Sequence, residues 1–98
     1  MKYLIESGAK YSVMTDHSVV LQRNLFLQLR FFRRFGLSKE ECISKITKNA
    51  AEILKINDMV GTLEKGKMAS LSCWNGDPFS LDSYPVLVYG EGKELYRE

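Results

Sequence analysis

The sequence is poor in the residues with which small proteins staple or punctuate themselves. Its 98 positions hold two cysteines, two prolines, one tryptophan and one histidine. Cys42 and Cys73 have no CxxC spacing and are too sparse for a disulfide-held secreted scaffold, which points to a reducing cytoplasm. No sign of charge dominates. Fourteen basic against twelve acidic residues give a net charge of +2, without the strong footprint of a dedicated nucleic-acid binder. The most apolar stretch, 19–35, is interrupted by Arg23, Arg30, Arg33 and Arg34, and a bilayer crossing would be costly. The opening Met1-Lys2-Tyr3-Leu4-Ile5-Glu6 contains no long apolar run, so neither a secretory leader nor a membrane anchor is expected.

What is present suits one small soluble domain. Hydrophobic residues make up 45% and charged residues 27%, which argues against extended disorder, although so short a chain can bury only a small core. The first six residues fit a short helix that stops near Ser7-Gly8. Tyr11-Ser12-Val13-Met14-Thr15 is rich in β-branched and aromatic residues and reads as a strand, followed by the polar Asp16-His17-Ser18.

From Val19 to Phe35 the sequence has helical periodicity. Val20, Leu21, Leu25, Leu27, Leu29, Phe31, Phe32 and Phe35 fall on one broad arc, with the arginines opposite. Such an arc is wider than a lone small domain needs, and Asn24 and Gln28 lie inside it, where burial would demand hydrogen-bond partners. This helix therefore calls for a large neighbour. Gly36 should end it, and Ser38-Lys39-Glu40-Glu41 supplies a capping box for a second helix. The core face of that helix reads Ile43, Ile46, Ala50, Ile53 and Leu54, and the helix should stop before Asn57-Asp58. Strands are expected over 68–74 and 85–89, separated by the turn Asn75-Gly76-Asp77-Pro78. A final hairpin follows through Gly90-Glu91-Gly92 into Glu94-Leu95-Tyr96. This α+β order does not close any common small domain.

The segment Thr47-Lys48-Asn49-Ala50-Ala51-Glu52-Ile53-Leu54, with Val60-Gly61-Thr62-Leu63-Glu64-Lys65-Gly66-Lys67-Met68-Ala69, resembles the closing signature of metal-dependent amidohydrolases. In their imidazolonepropionase-like and deacetylase-like branches a T-x-N-A-A-x-x-L helix precedes G-x-L-x-x-G-x-x-A and a strand of a small β-sandwich. Upstream, Val13-Met14-Thr15-Asp16-His17 is similar to the eighth strand of the family's TIM barrel. The resemblance thus implies a fragment: 1–56 as the end of the barrel (short helix, strand 8, two helices), and 57–98 as C-terminal strands of the sandwich. Two positions depart from the family pattern, Ser18 for a proline and Ser70 for an aspartate.

The same resemblance implies hydrolysis of a C–N bond in an amide or cyclic amide. A divalent metal, zinc or similar, activates water and polarises the carbonyl, and a carboxylate handles the proton. It assigns Asp16 both roles open to this chain, metal contact in a complete barrel and general base then acid, at the C-terminal end of a barrel strand. Helix N-cap is the competing reading of Asp16. His17 is at most pocket-lining. A catalytic zinc takes about three protein ligands, so the isolated chain is expected to hold no metal and to be inactive.

Partners follow from the same reasoning. The helix over 19–35 and open strand edges should drive homo-oligomerisation, or should meet a missing barrel chain that this chain completes as a separate subunit. A nucleic-acid grip by Arg30, Arg33 and Arg34 interleaved with Phe31, Phe32 and Phe35 is the weaker alternative, because helical spacing separates the two sets. Cys42, Cys73 and Trp74 read as packing residues, and Gly61 and Gly66 as turn residues.

Overall fold

A computed structural model describes residues 2–14, 16 and 24–98. In chain order it contains helices α1 (Lys2–Glu6), α2 (Leu25–Arg34), α3 (Lys39–Ile46) and α4 (Lys48–Ile53). Strands β1 (Leu71–Trp74), β2 (Pro85–Gly90) and β3 (Lys93–Arg97) follow. The three strands form an antiparallel sheet in the order β1-β2-β3, with Leu71 opposite Tyr89 and Val88 opposite Tyr96. Among the described residues no helix is long and apolar enough to cross a membrane.

Local chemistry fixes the helix boundaries. Gly36 sits at φ 103°, a left-handed conformation that side chains disfavour. There its N–H donates to Arg33 O at 3.1 Å, while Leu37 N–H donates to Phe32 O at 3.3 Å. This pair of bonds is the Schellman closure, and it turns Leu37 back into the core beside Phe32. Ser38 Oγ then accepts from Glu41 N–H at 3.1 Å, and the Glu41 carboxylate accepts from Ser38 N–H at 3.5 Å, completing the capping box.

The core is small and mostly helical. Leu29, Leu37, Cys42 and Phe79 form its buried cluster, with Ile5, Val13, Phe26, Phe32, Ile43 and Ile46 packed against it. Phe26 meets both Trp74, at 5.1 Å between ring centroids, and Phe79, at 5.5 Å edge-on, which joins the helices to the sheet. Phe79 is aimed inward by Asp77, whose Oδ1 accepts the Phe79 N–H at 2.9 Å. The other oxygen of Asp77 pairs with Lys39 in the first turn of α3. Those two bonds, the Lys39 contact foremost, hold the Asp77 carboxyl below its ordinary range.

Four expectations need correction. Residues 11–14 carry no strand ladder, because a barrel strand takes its hydrogen bonds from neighbours on both sides and the described residues supply none. The α2 core line is Phe26, Leu29 and Phe32, whereas Leu27, Phe31 and Phe35 of the expected arc lie open at 48%, 47% and 49% exposure. Helix α2 can place one stripe on this core, and among the described residues the second lines only an open groove. Ile53 and Leu54 are exposed as well. The helix breaks at Thr47 (φ −126°, ψ −89°), which rotates α4 so that Ala51 turns inward, while Cys42 fills the α3 face. Finally, Cys73 is exposed on an edge strand rather than packed. The expected helix start near Val19 lies outside the described residues.

Cys42 has a measurable consequence. Its thiol is fully buried and reaches Leu29 O at 3.6 Å. Burial pushes its pKa above the ordinary 9.0, Arg33 and Lys45 pull it part of the way back, and Glu41 adds to the rise. Below the unfolded value the thiol is protonated in both states and its contribution is fully present. Above it the unfolded chain ionises first, so stability falls as pH rises through the folded pKa. Urea midpoints should accordingly decline above about pH 9, and Cys42→Ala should flatten that decline. An unchanged slope in the variant would remove Cys42 as its source.

Candidate functional site

Asp16 is exposed and stands at φ 51°, a left-handed conformation that aspartate tolerates better than most residues. The chain leading to it is held against the helices. Tyr11 stacks on Phe32 at 5.9 Å between centroids, with the Lys45 ammonium 3.9 Å from the Tyr11 ring centre. Val13 N–H donates to Lys45 O at 3.3 Å, and Lys10 pairs with Glu52 at 3.3 Å. The Tyr11 hydroxyl oxygen is buried without a hydrogen-bond partner among the described residues. Its pKa is raised, first by burial and then by the nearby Cys42 and Glu41.

His17 lies outside the described residues, so its proximity to Asp16 in space is not described. Among the described residues no three His, Cys, Asp or Glu side chains converge as metal ligands. One exposed carboxylate does not fit a catalytic zinc, which takes about three protein ligands. The described residues therefore make no metal site by themselves.

The signature residues do structural work. Thr47 Oγ1 donates to Ile43 O at 2.8 Å, closing α3, and Thr47 O accepts from Ala51 N–H at 2.9 Å, opening α4. Ala51 is 4% exposed. A Cβ placed on Gly61 would stand 2.7 Å from the Ala51 Cβ and 3.4 Å from Thr47 O. The spacing from the T-x-N-A-A run to the following glycine thus lets the loop lie directly on the helix, at φ 108°. From there Met68 N–H donates to Met59 O at 2.8 Å, and the chain runs into β1. Ser70 Oγ accepts from Glu91 N–H at 3.0 Å, linking the start of β1 to the far hairpin turn.

One feature was not singled out from sequence. An open groove of about 1090 Å³ runs between α2 and the 77–82 turn, lined by Leu27, Phe31 and Leu81 with Arg30, Arg34 and Asp82 among its charged residues. Arg33 lies 5.9 Å from the Phe79 ring centre on the same wall. The i, i+4 spacing of Leu27 and Phe31 was visible in sequence; the approach of residues 77–82, some fifty positions on, was not.

These arrangements define a class. The chain belongs to the amidohydrolase family, whose sequence model matches residues 1–94. It is 33% identical to an imidazolonepropionase of Rhizobium meliloti (strain 1021), covering 97% of this chain and 22% of that protein. To an imidazolonepropionase of Mesorhizobium japonicum it is 37% identical, covering 69% of this chain and 17% of the relative. The solved structure of an amidohydrolase from Thermotoga maritima MSB8 superposes with a TM-score of 0.89 at 34% identity, over 97% of this chain and 25% of that one. The chain spans about a fifth of the length of the curated relatives it matches.

Proposed function

We propose that this chain is the C-terminal portion of a metal-dependent, imidazolonepropionase-like hydrolase that opens a C–N bond of a cyclic amide, and that these 98 residues alone are inactive. The observation that carries the reading is the superposition of almost the whole chain on a quarter of a solved amidohydrolase. On this reading residues 1–56 are the end of a TIM barrel and 57–98 strands of a small sandwich. The mixed helix and strand order and the Thr47–Gly61 packing support that division. Asp16 is the residue we assign to proton handling at the reacting centre, with the metal ligands supplied by sequence outside these positions. Free Cys42 and Cys73 are consistent with a reducing cytoplasm.

The test is direct. The purified 98-residue chain, incubated with zinc and dialysed, should retain far less than one equivalent by mass spectrometry and should not hydrolyse imidazolonepropionate. Joined in frame to the barrel portion of the Rhizobium meliloti relative it should do both. In that chimera Asp16→Asn should lower kcat by about 100-fold or more, the scale of a lost general acid–base group. Stoichiometric zinc with turnover by the short chain, or full activity of the Asp16→Asn chimera, would refute the assignment.

A further inference from the structure

We infer that Lys45 is a positioning residue for Asp16: its ammonium on the Tyr11 ring and its carbonyl on the Val13 N–H grip the chain just before Asp16 and fix where that carboxylate stands. The inference rests on the proton-handling role proposed for Asp16 and adds what holds it there.

The first ground is the grip itself. Tyr11 stacks on Phe32 of α2 at 5.9 Å between ring centroids, and the ammonium of Lys45, near the end of α3, lies 3.9 Å from the same ring centre. An aromatic face attracts a cation placed at this distance. Two residues further on, Val13 N–H donates to Lys45 O at 3.3 Å. One residue of α3 thus supplies both a side-chain and a backbone contact to the approach to Asp16.

The second ground is sidedness. Tyr11 and Val13 are half-buried, whereas Ser12, Met14 and Asp16 are exposed. Such alternation is that of an extended chain with one face against a neighbour. Lys45 therefore takes hold on the face opposite Ser12 and Met14, and the Asp16 carboxylate stays open. Three residues of chain, at most about 10 Å, separate Val13 from Asp16, so a shift of the first is passed to the second.

The third ground is that Lys45 has no other charged partner in view. Among the described residues the ion pairs are Lys10–Glu52, Lys39–Asp77, Lys67–Glu64 and Arg97–Glu94. Lys45 enters none of them, and the Tyr11 ring is the contact its charge makes. Replacing that ammonium removes one defined interaction. Rate is the sensitive readout, because a displacement of about 1 Å at a reacting group can cost about 100-fold.

The test uses the in-frame chimera with the barrel portion of the Rhizobium meliloti relative, together with the 98-residue chain. In the chimera Lys45→Met, which keeps the length of the side chain and removes its charge, should lower kcat about 10-fold with KM and zinc content unchanged. Lys45→Arg should restore most of that loss, since a guanidinium also sits on aromatic faces. In the 98-residue chain the Val13 amide should exchange with deuterium at least about 5-fold faster in Lys45→Met, with the urea midpoint near that of the parent. Tyr11→Leu, which removes the ring instead of the cation, should reproduce both results. The inference is overturned if Lys45→Met leaves kcat or the Val13 exchange as in the parent, or if Lys45→Arg restores nothing. A variant that unfolds, loses zinc or changes KM as much as kcat marks Lys45 as a packing residue and overturns it equally. A parent chimera without turnover sinks the proposed function and this inference with it, while an active parent indifferent to Lys45 sinks this inference alone.

Discussion

Leu29→Ala should lower the unfolding free energy of the chain by about 2–5 kcal/mol, the range for emptying a fully buried leucine site. Leu29 has no exposed surface and lies at the centre of the Leu37, Cys42 and Phe79 cluster. Its carbonyl also faces the Cys42 thiol, so a collapse of the site would disturb a polar contact as well as a packing one. A chain of this size stands near the low end of the usual stability of about 5–15 kcal/mol, so the loss removes much of what holds it folded. Urea denaturation followed by circular dichroism measures it. Leu27→Ala on the same helix is the control, and it should change the midpoint little because Leu27 is 48% exposed. Equal effects at the two positions would mean that α2 is turned otherwise than described.

Gly61→Val should cost a comparable amount, about 2–4 kcal/mol, from two sources that can be separated. The first is backbone: φ is 108°, where any side chain is strained by about 1–2 kcal/mol. The second is steric, since the new Cβ would stand 2.7 Å from the Ala51 Cβ, and crowding of that kind typically costs about 1–3 kcal/mol. Adding Ala51→Gly removes the facing methyl and should recover the steric part while leaving the backbone part. Full recovery in the double variant would mean that the backbone conformation is not enforced, and no recovery would mean that the two residues do not touch.

Features set by near neighbours in sequence were the legible ones. Gly36 with Leu37, and Ser38 with Glu41, determine their conformations within four residues, and both closures stand where the residues place them. The β2–β3 hairpin follows from Gly90-Glu91-Gly92 in the same way. Errors arose where the outcome depended on distant chain. Phe26 lies on the arginine side of the helix, outside the expected apolar arc, yet Trp74 and Phe79 approach from that side and partly bury it. Ile53 and Leu54 have the right spacing for a core, but the turn of the helix at Thr47 swings them outward. The strand expected at 11–15 has the composition of a buried barrel strand, and composition cannot supply the neighbours that a ladder needs. At the candidate site, Asp16 is named by the family resemblance of Val13-Met14-Thr15-Asp16-His17, and its role stands as the proposal tested by the Asp16→Asn chimera. The groove could not be read from sequence, because residues 77–82 form one of its walls.

The pinching of Phe26 between Trp74 and Phe79 implies a division of labour in how this region can change. Helix α2 reaches β1 and the turn after it through Phe26, Trp74 and Phe79, Lys39 pairs with Asp77 of that turn, and the loop at Gly61 lies on α4. Strands β2 and β3 put no residue into the buried cluster. Within these 98 residues, substitutions at the exposed β3 positions should therefore disturb the core less than changes at the rings or at Gly61.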